Sequence, residues 1–294
     1  MEQKKDDLKQ IKIRTPFSEF WRKFKAHKTA LAAGIGVVLI ILMAIFAPLI
    51  APYPFDQPDY DTLLAPPSMQ HWAGTDLFGR DILSRIILGS RISLAVGVCS
   101  VTIGAIFGIV IGIMGGYFGG KLDVFLMRFC DILIAFPGML LAIGIVAILG
   151  PGIVNVIIAV SIFSVPIFAR IVRGSTLALK ETVYVEAAHS LGAPHKRIMF
   201  RHILPGTLAG SIVYYSMRIG SSILTAAGLS FIGLGAQPPT PEWGAMLASG
   251  RTYIGVAPHV TLYPGLAIFI TVLLFNILGD GLRDALDPKL DTNC

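Results

Sequence analysis

The run nearest to a chemical motif is Gly115-Gly116-Tyr117-Phe118-Gly119-Gly120-Lys121. A glycine-rich loop ending in Lys can cradle phosphates. It also needs Ser or Thr after the Lys to hold magnesium, and a strand before it. Here Leu122 follows and a long apolar run precedes, so this loop is not a nucleotide site. Cys99, Cys130 and Cys294 form no pair with metal-ligand spacing. His195 and His202 lie seven residues apart with no second ligand pair. Asp280, Asp284 and Asp287 recur near the end beside Arg283 and Lys289, the pattern of a solvated charged face. No nucleophile elbow or zinc-protease pattern occurs. Without a convergent catalytic set, the chain is expected not to be an enzyme and to hold no metal or cofactor of its own.

A different kind of chemistry, recognition of a partner, is written at Glu186-Ala187-Ala188-His189-Ser190-Leu191-Gly192. Residues 181–191 suit a short helix. Val185, Ala188 and Leu191 fall three apart and are expected to share a face. Gly192 is placed to stop that helix, and Pro194 follows. Lys196 to Ile203 suits a second helix, after which Pro205 is expected to break or bend the chain. A helix, a glycine stop and a second helix make a compact exposed element. The small side chains of Ala187 and Ala188 would let a partner surface come close.

The segments that must position this element are apolar. Of 294 residues, 54% are hydrophobic and only 14% charged. A soluble domain carries about a quarter charged residues. Six segments reach the roughly 20 apolar residues that a bilayer core requires. They lie near Ala30–Ala51, Ile92–Phe118, Leu122–Leu149, Ile153–Ile171, Leu208–Leu234 and Val260–Leu282. The first is too long, and follows too long a polar stretch, for a cleaved secretory signal. The expected fold is therefore all-α, a polytopic membrane bundle of six transmembrane helices.

The net charge of +6 does not point to nucleic acid. The basic excess sits in the N-terminal tail and in the loop carrying Arg170, Arg173, Lys180, Lys196, Arg197 and Arg201, next to apolar spans. Positive charge collects on the cytoplasmic side, so both termini are expected there. Three units are expected: a cytoplasmic tail over residues 1–29, a first span with its external loop over 30–91, and a core of five spans over 92–294. The tail ends in an amphipathic stretch, Phe17 to Lys28, suited to the membrane surface. The external loop begins Pro-rich and ends as a helix from Asp81 to Arg91.

Within the spans, Gly104, Gly108, Gly112, Gly116 and Gly120 recur every four residues. They form one stripe that lets another helix approach closely. Asp131 is expected near the cytoplasmic end, reaching out beside Arg128. Arg218 lies deeper and implies either a polar path or a structural pair. Pro238, Pro239 and Pro241 turn the chain outside the membrane, and Trp243 is expected half-buried at the interface.

Glu186, Ala187, Ala188, Gly192 and Pro205 together resemble the coupling motif of ABC-importer permeases. Three further stretches resemble the second permease of dipeptide, oligopeptide and nickel importers. These are His71 to Ser93, Gly233 to Leu247 and Leu278 to Lys289. Phe168 to Gly174 and Arg201 to Thr207 are most similar to the glutathione- and dipeptide-importing branches. The resemblance covers nearly the whole chain. It implies a type I importer permease in a bacterial inner (plasma) membrane, with a coupling loop at about residues 172–205 that takes up motion from an ATPase. It implies four partners besides the membrane: a second homologous permease, two ATP-binding subunits that carry the ATP and magnesium, and an external substrate-binding protein. The implied cargo is a small peptide or glutathione. A nickel permease of the same family and a self-sufficient secondary transporter are the alternatives. The outer stretch from Gly233 then serves as a gate or a docking edge for the binding protein.

Overall fold

The computed structural model describes residues 16–286. Within them the chain is helical, with one isolated bridge between Thr75 and Asp81. An amphipathic α1 (Pro16–Ala26) precedes the first apolar helix, α2 (Lys28–Ile45), and a short α3 (Ala47–Ile50). After the loop comes α4 (Ile82–Phe118). Next are α5 (Gly120–Ala135), α6 (Gly138–Leu149) and α7 (Ile153–Lys180). Two short helices follow, α8 (Val183–Ser190) and α9 (His195–Arg197), and a π-helical turn (Ile198–Ile203) runs on into α10 (Leu204–Phe231). The described residues end with α11 (Trp243–Gly250) and α12 (His259–Leu286).

Four of these helices, α2, α4, α7 and α12, are long and apolar enough to cross a membrane. The third expected span is not straight: α5 and α6 meet at 92°. The bend falls at Phe136 and Pro137, both in extended or turn-like conformation. Proline lacks the N–H to continue the ladder and biases the residue before it away from the helical region. The remaining span, α10, is long enough but carries many hydroxyls. Three of its buried ones are returned to the helix itself: Thr207 donates to the Leu204 carbonyl at 2.9 Å, Ser211 to that of Thr207 at 2.8 Å and Ser216 to that of Val213 at 2.7 Å, whereas the buried Ser222 hydroxyl has no partner among the described residues. Hydroxyls satisfied in this way can sit in a buried helix.

The glycine stripe of α4 fixes how the bundle is threaded. A Cβ on Gly104 would stand 2.6 Å from that of Ser164, and one on Gly108 2.5 Å from that of Phe168. Gly112 meets Val172 in the same way at 2.8 Å, and Gly116 meets Thr176 at 2.8 Å. The partners on α7 advance at the same step and in the same direction as the glycines, so α4 and α7 run parallel. The bent pair α5–α6 must therefore carry the chain back between them as a fifth span, and α10 is a sixth long helix among the described residues. Gly120, the last member of the sequence stripe, is not part of this contact. It lies beyond the end of α4 with a φ of 57° and nothing near its missing Cβ.

The outer loop is tied down by the stretch from His71. Asp81 caps α4 by accepting from the Ser84 backbone and hydroxyl, each at 2.7 Å, and its other oxygen is 3.0 Å from His71 Nδ1. Asp76 accepts from Arg80 Nε at 2.8 Å and from the Phe78 and Arg80 backbones. Trp243 is not half-buried as expected but fully buried within the protein. Its indole donates to the Ile86 carbonyl at 3.0 Å, while Glu242 caps α11. An indole with its N–H satisfied loses the reason to stay at a wet boundary.

Candidate coupling site

The exposed element begins where α7 ends. α7 was expected to stop near Ile171 but continues to Lys180. At 1.5 Å per residue its 28 residues span about 42 Å, more than a bilayer core. Arg170, Arg173 and Lys180 thus lie on a rigid helix rather than in a loop.

α8 follows and is closed by a complete glycine cap. The Ala193 N–H donates to the Ala188 carbonyl at 3.1 Å, and the Gly192 N–H donates to that of His189 at 2.9 Å. Gly192 has a φ of 77°, the left-handed conformation this cap requires. Glu186, Ala187 and Gly192 are exposed and Ala188 is half-buried, so these four residues sit together on one projecting element. Val185 is buried beneath them. Leu191, expected on the same face as Val185, is instead 88% exposed. The three-residue spacing counted on a helix that continues, whereas α8 ends at Ser190 and Leu191 leaves with the turn.

Pro205 belongs to a different element. It does not break the chain as expected, but lies in the first turn of α10, and the helix runs through it from the π-turn. A proline ring clashes with the carbonyl four residues back in a regular helix. The wider turn before it shifts the ladder: the Leu204 N–H reaches back to Met199, five residues away.

Beneath α8 is a small core made of Val185, Ile198, Ile203 and Tyr117, the last from the end of α4. A cleft of about 600 Å³ opens beside it, lined by Tyr117, Lys180, Glu181, Glu186, His189 and His195. Lys180 Nζ donates to the Tyr117 carbonyl at 2.8 Å, closing the last turn of α4 with a cation. Tyr184 donates to the His202 carbonyl at 3.1 Å and joins α8 to the π-turn.

Two ion pairs bind α5 to α7 near the same end. Arg173 grips Asp123 with two bonds of 2.6 Å each. Arg170 meets Asp131 at 2.6 Å, so the partner of Asp131 is Arg170 and not Arg128. These contacts join residues about 40 to 50 positions apart, and no local pattern announces them. Asp131 was expected only to reach out beside its sequence neighbour Arg128, and the partner it finds lies 39 residues away.

Arg218 is buried on α10 with no acid beside it among the described residues. Its guanidinium donates to Ser164 at 3.3 Å and to Ser221 at 3.1 Å, and it lies 4.8 Å from the Phe163 ring. One of its terminal nitrogens has no partner. The described residues contain no group of His, Cys, Asp and Glu arranged to hold a metal ion.

This architecture has known relatives. The solved MetNI methionine ABC transporter, in an inward-facing conformation, matches with a TM-score of 0.58 at 21% identity, over 70% of this chain and 98% of that one. The glutathione transport system permease protein GsiD of Pectobacterium atrosepticum is 57% identical, over 95% of this chain and 93% of its own length. The protein of the same description from Escherichia coli is also 57% identical, over 96% and 94%. A model of the N-terminal TM domain of oligopeptide transport permease C matches residues 15–67. The model of the binding-protein-dependent transport system inner membrane component matches residues 108–292, and the chain belongs to that family of ABC-importer permeases.

Proposed function

We propose that this permease imports glutathione or short peptides of similar size, and that residues 181–194 form its coupling element to a separate ATPase. The cargo follows the description of the relatives at 57% identity, which are glutathione permeases. The observation that carries the coupling role is the glycine-capped α8. It projects from the bundle with Glu186 and Ala187 outward and Val183 and Leu191 more than 80% exposed, yet is anchored below through Val185. Apolar side chains held out at the end of a basic, non-spanning element suit a protein partner.

In this reading α8 and Gly192 enter a groove of an ATP-binding subunit that holds the ATP and magnesium. Two such subunits, a second homologous permease and an external binding protein complete the assembly in a bacterial inner membrane. The basic tail and the coupling element face the cytoplasm, and residues 30–91 contribute the first span and the external loop. Closure of the ATPases pushes α8, which moves Tyr117 at the foot of α4. Because α4 and α7 are interlocked along the glycine stripe, they move as one body. The loaded binding protein must favour the ATP-closed state for hydrolysis to be coupled to import.

The test is uptake by proteoliposomes holding the whole complex, with ATP on the coupling side and loaded binding protein on the other. Radiolabelled glutathione and a dipeptide are expected to accumulate only with both present. Accumulation of nickel with neither peptide would replace this reading, and uptake without ATP would remove it.

A further inference from the structure

Three elements of the coupling region converge on Tyr117. Its hydroxyl lies 2.7 Å from His195 Nδ1 on α9. Its carbonyl receives Lys180 from the end of α7. Its ring shares the core with Val185 of α8 and Ile198 of the π-turn. The phenol is 7% exposed although it stands beside an open cleft. The His195 ring packs edge-on against it at 5.6 Å and lies 6.0 Å from Phe118. α4 ends one residue later, and Gly119 and Gly120 then turn the chain at φ values of 65° and 57°. Tyr117 thus stands in the last turn of α4, the longest span, where a displacement of α8 or α9 can be handed to it.

A purely apolar contact would let α8 and α9 slide over the foot of α4. A hydrogen bond is directional and weakens steeply with misalignment. We infer that the Tyr117 hydroxyl and His195 form a positioning pair that makes α4 follow the coupling element, so that force from the ATPase reaches the interlocked α4–α7 unit without slip. This rests on the coupling role proposed above for α8. The pair touches neither cargo nor nucleotide, and acts through α4.

The experiment uses the complete reconstituted complex. The readout is the ratio of ATP hydrolysis with loaded binding protein to hydrolysis without it, with retention of the ATPases checked by co-purification. Tyr117→Phe keeps the ring and its packing but removes the hydroxyl. His195→Ala removes the other partner, whereas His195→Asn places an amide where Nδ1 stood. In Tyr117→Phe and His195→Ala the ratio is expected to fall about fivefold, the size of one lost hydrogen bond, with the ATPases still attached. The double variant is expected to fall no further than either single one, because both remove the same bond. His195→Asn is expected to retain most of the ratio. The inference is overturned by a ratio unchanged in either single variant, by single effects that multiply in the double variant, or by His195→Asn behaving like His195→Ala. Glu186→Ala in the same assay separates the two ideas. If it leaves the ratio intact, the coupling role of α8 itself has failed. If it lowers the ratio while Tyr117→Phe does not, only the pair has failed.

Discussion

Gly108 and Phe168 lie so close that a Cβ on the glycine would stand 2.5 Å from the Cβ of the phenylalanine and 2.7 Å from the Val165 carbonyl oxygen. Both obstacles are fixed to the helix and cannot swing aside. Gly108→Ala is therefore expected to force α4 and α7 apart and to destabilise the protein by about 1–3 kcal/mol. Gly144→Ala on α6, where nothing lies within 4 Å, serves as the control and is expected to be neutral or slightly stabilising. Thermal unfolding of the detergent-solubilised complex measures both. Equal melting temperatures for the two variants would contradict the interlocked pair.

The two ion pairs between α5 and α7 differ in worth. Asp123 is largely buried and held at both oxygens, whereas Asp131 and Arg170 are each about half exposed. Asp123→Asn leaves a partly buried guanidinium half-satisfied and is expected to cost about 1–2 kcal/mol. Asp131→Asn is expected to cost less than about 1 kcal/mol. The order of the two melting temperatures checks this. A larger loss from Asp131→Asn would show that the more exposed pair carries the joint.

Arg218 separates a path from a pair. A buried cation whose role is structural should have an acid partner, and breaking such a pair costs about 3–5 kcal/mol. Arg218 has hydroxyls and a ring instead. Arg218→Met is therefore expected to leave the melting temperature unchanged or raised while slowing uptake, as for a charge kept at membrane depth for the cargo's sake. A drop of many degrees with uptake lost in proportion would assign Arg218 to the scaffold.

Much of the bundle was legible in the sequence because lipid demands long apolar runs, and such runs survive without any knowledge of contacts. The glycine stripe was legible for the same reason, as periodicity within a single helix. What the sequence hid was contact between distant positions. Asp123 and Arg173 meet across 50 residues, and the basic character of Arg173 pointed only to a loop. The full burial of Trp243, whose indole donates to the Ile86 carbonyl, depends on a partner 157 residues away. The third span was read as one segment from Leu122 to Leu149, and its 92° bend at Pro137 was not foreseen. At the coupling site Gly192 was readable, since a glycine after a short helix has few other uses. The outward turn of Leu191 was not, because one residue of helix length decides which way it points. The pairing of Tyr117 with His195 left no trace in the sequence, where Tyr117 stands inside a glycine run that resembles a phosphate loop.

If α8 and its glycine cap carry the ATPase's motion into the bundle, a change at Gly192 must interrupt it. Nothing surrounds the missing Cβ of Gly192, so substitution there acts through the backbone and not through packing. Proline holds φ near −65°, which is incompatible with the 77° of the cap. The measurement is ATP hydrolysis by the reconstituted complex carrying Gly192→Pro, with and without loaded binding protein. Stimulation is expected to be lost, either because the ATPases no longer co-purify or because they remain attached and no longer respond. Full stimulation and full uptake with Gly192→Pro would contradict the coupling role of α8.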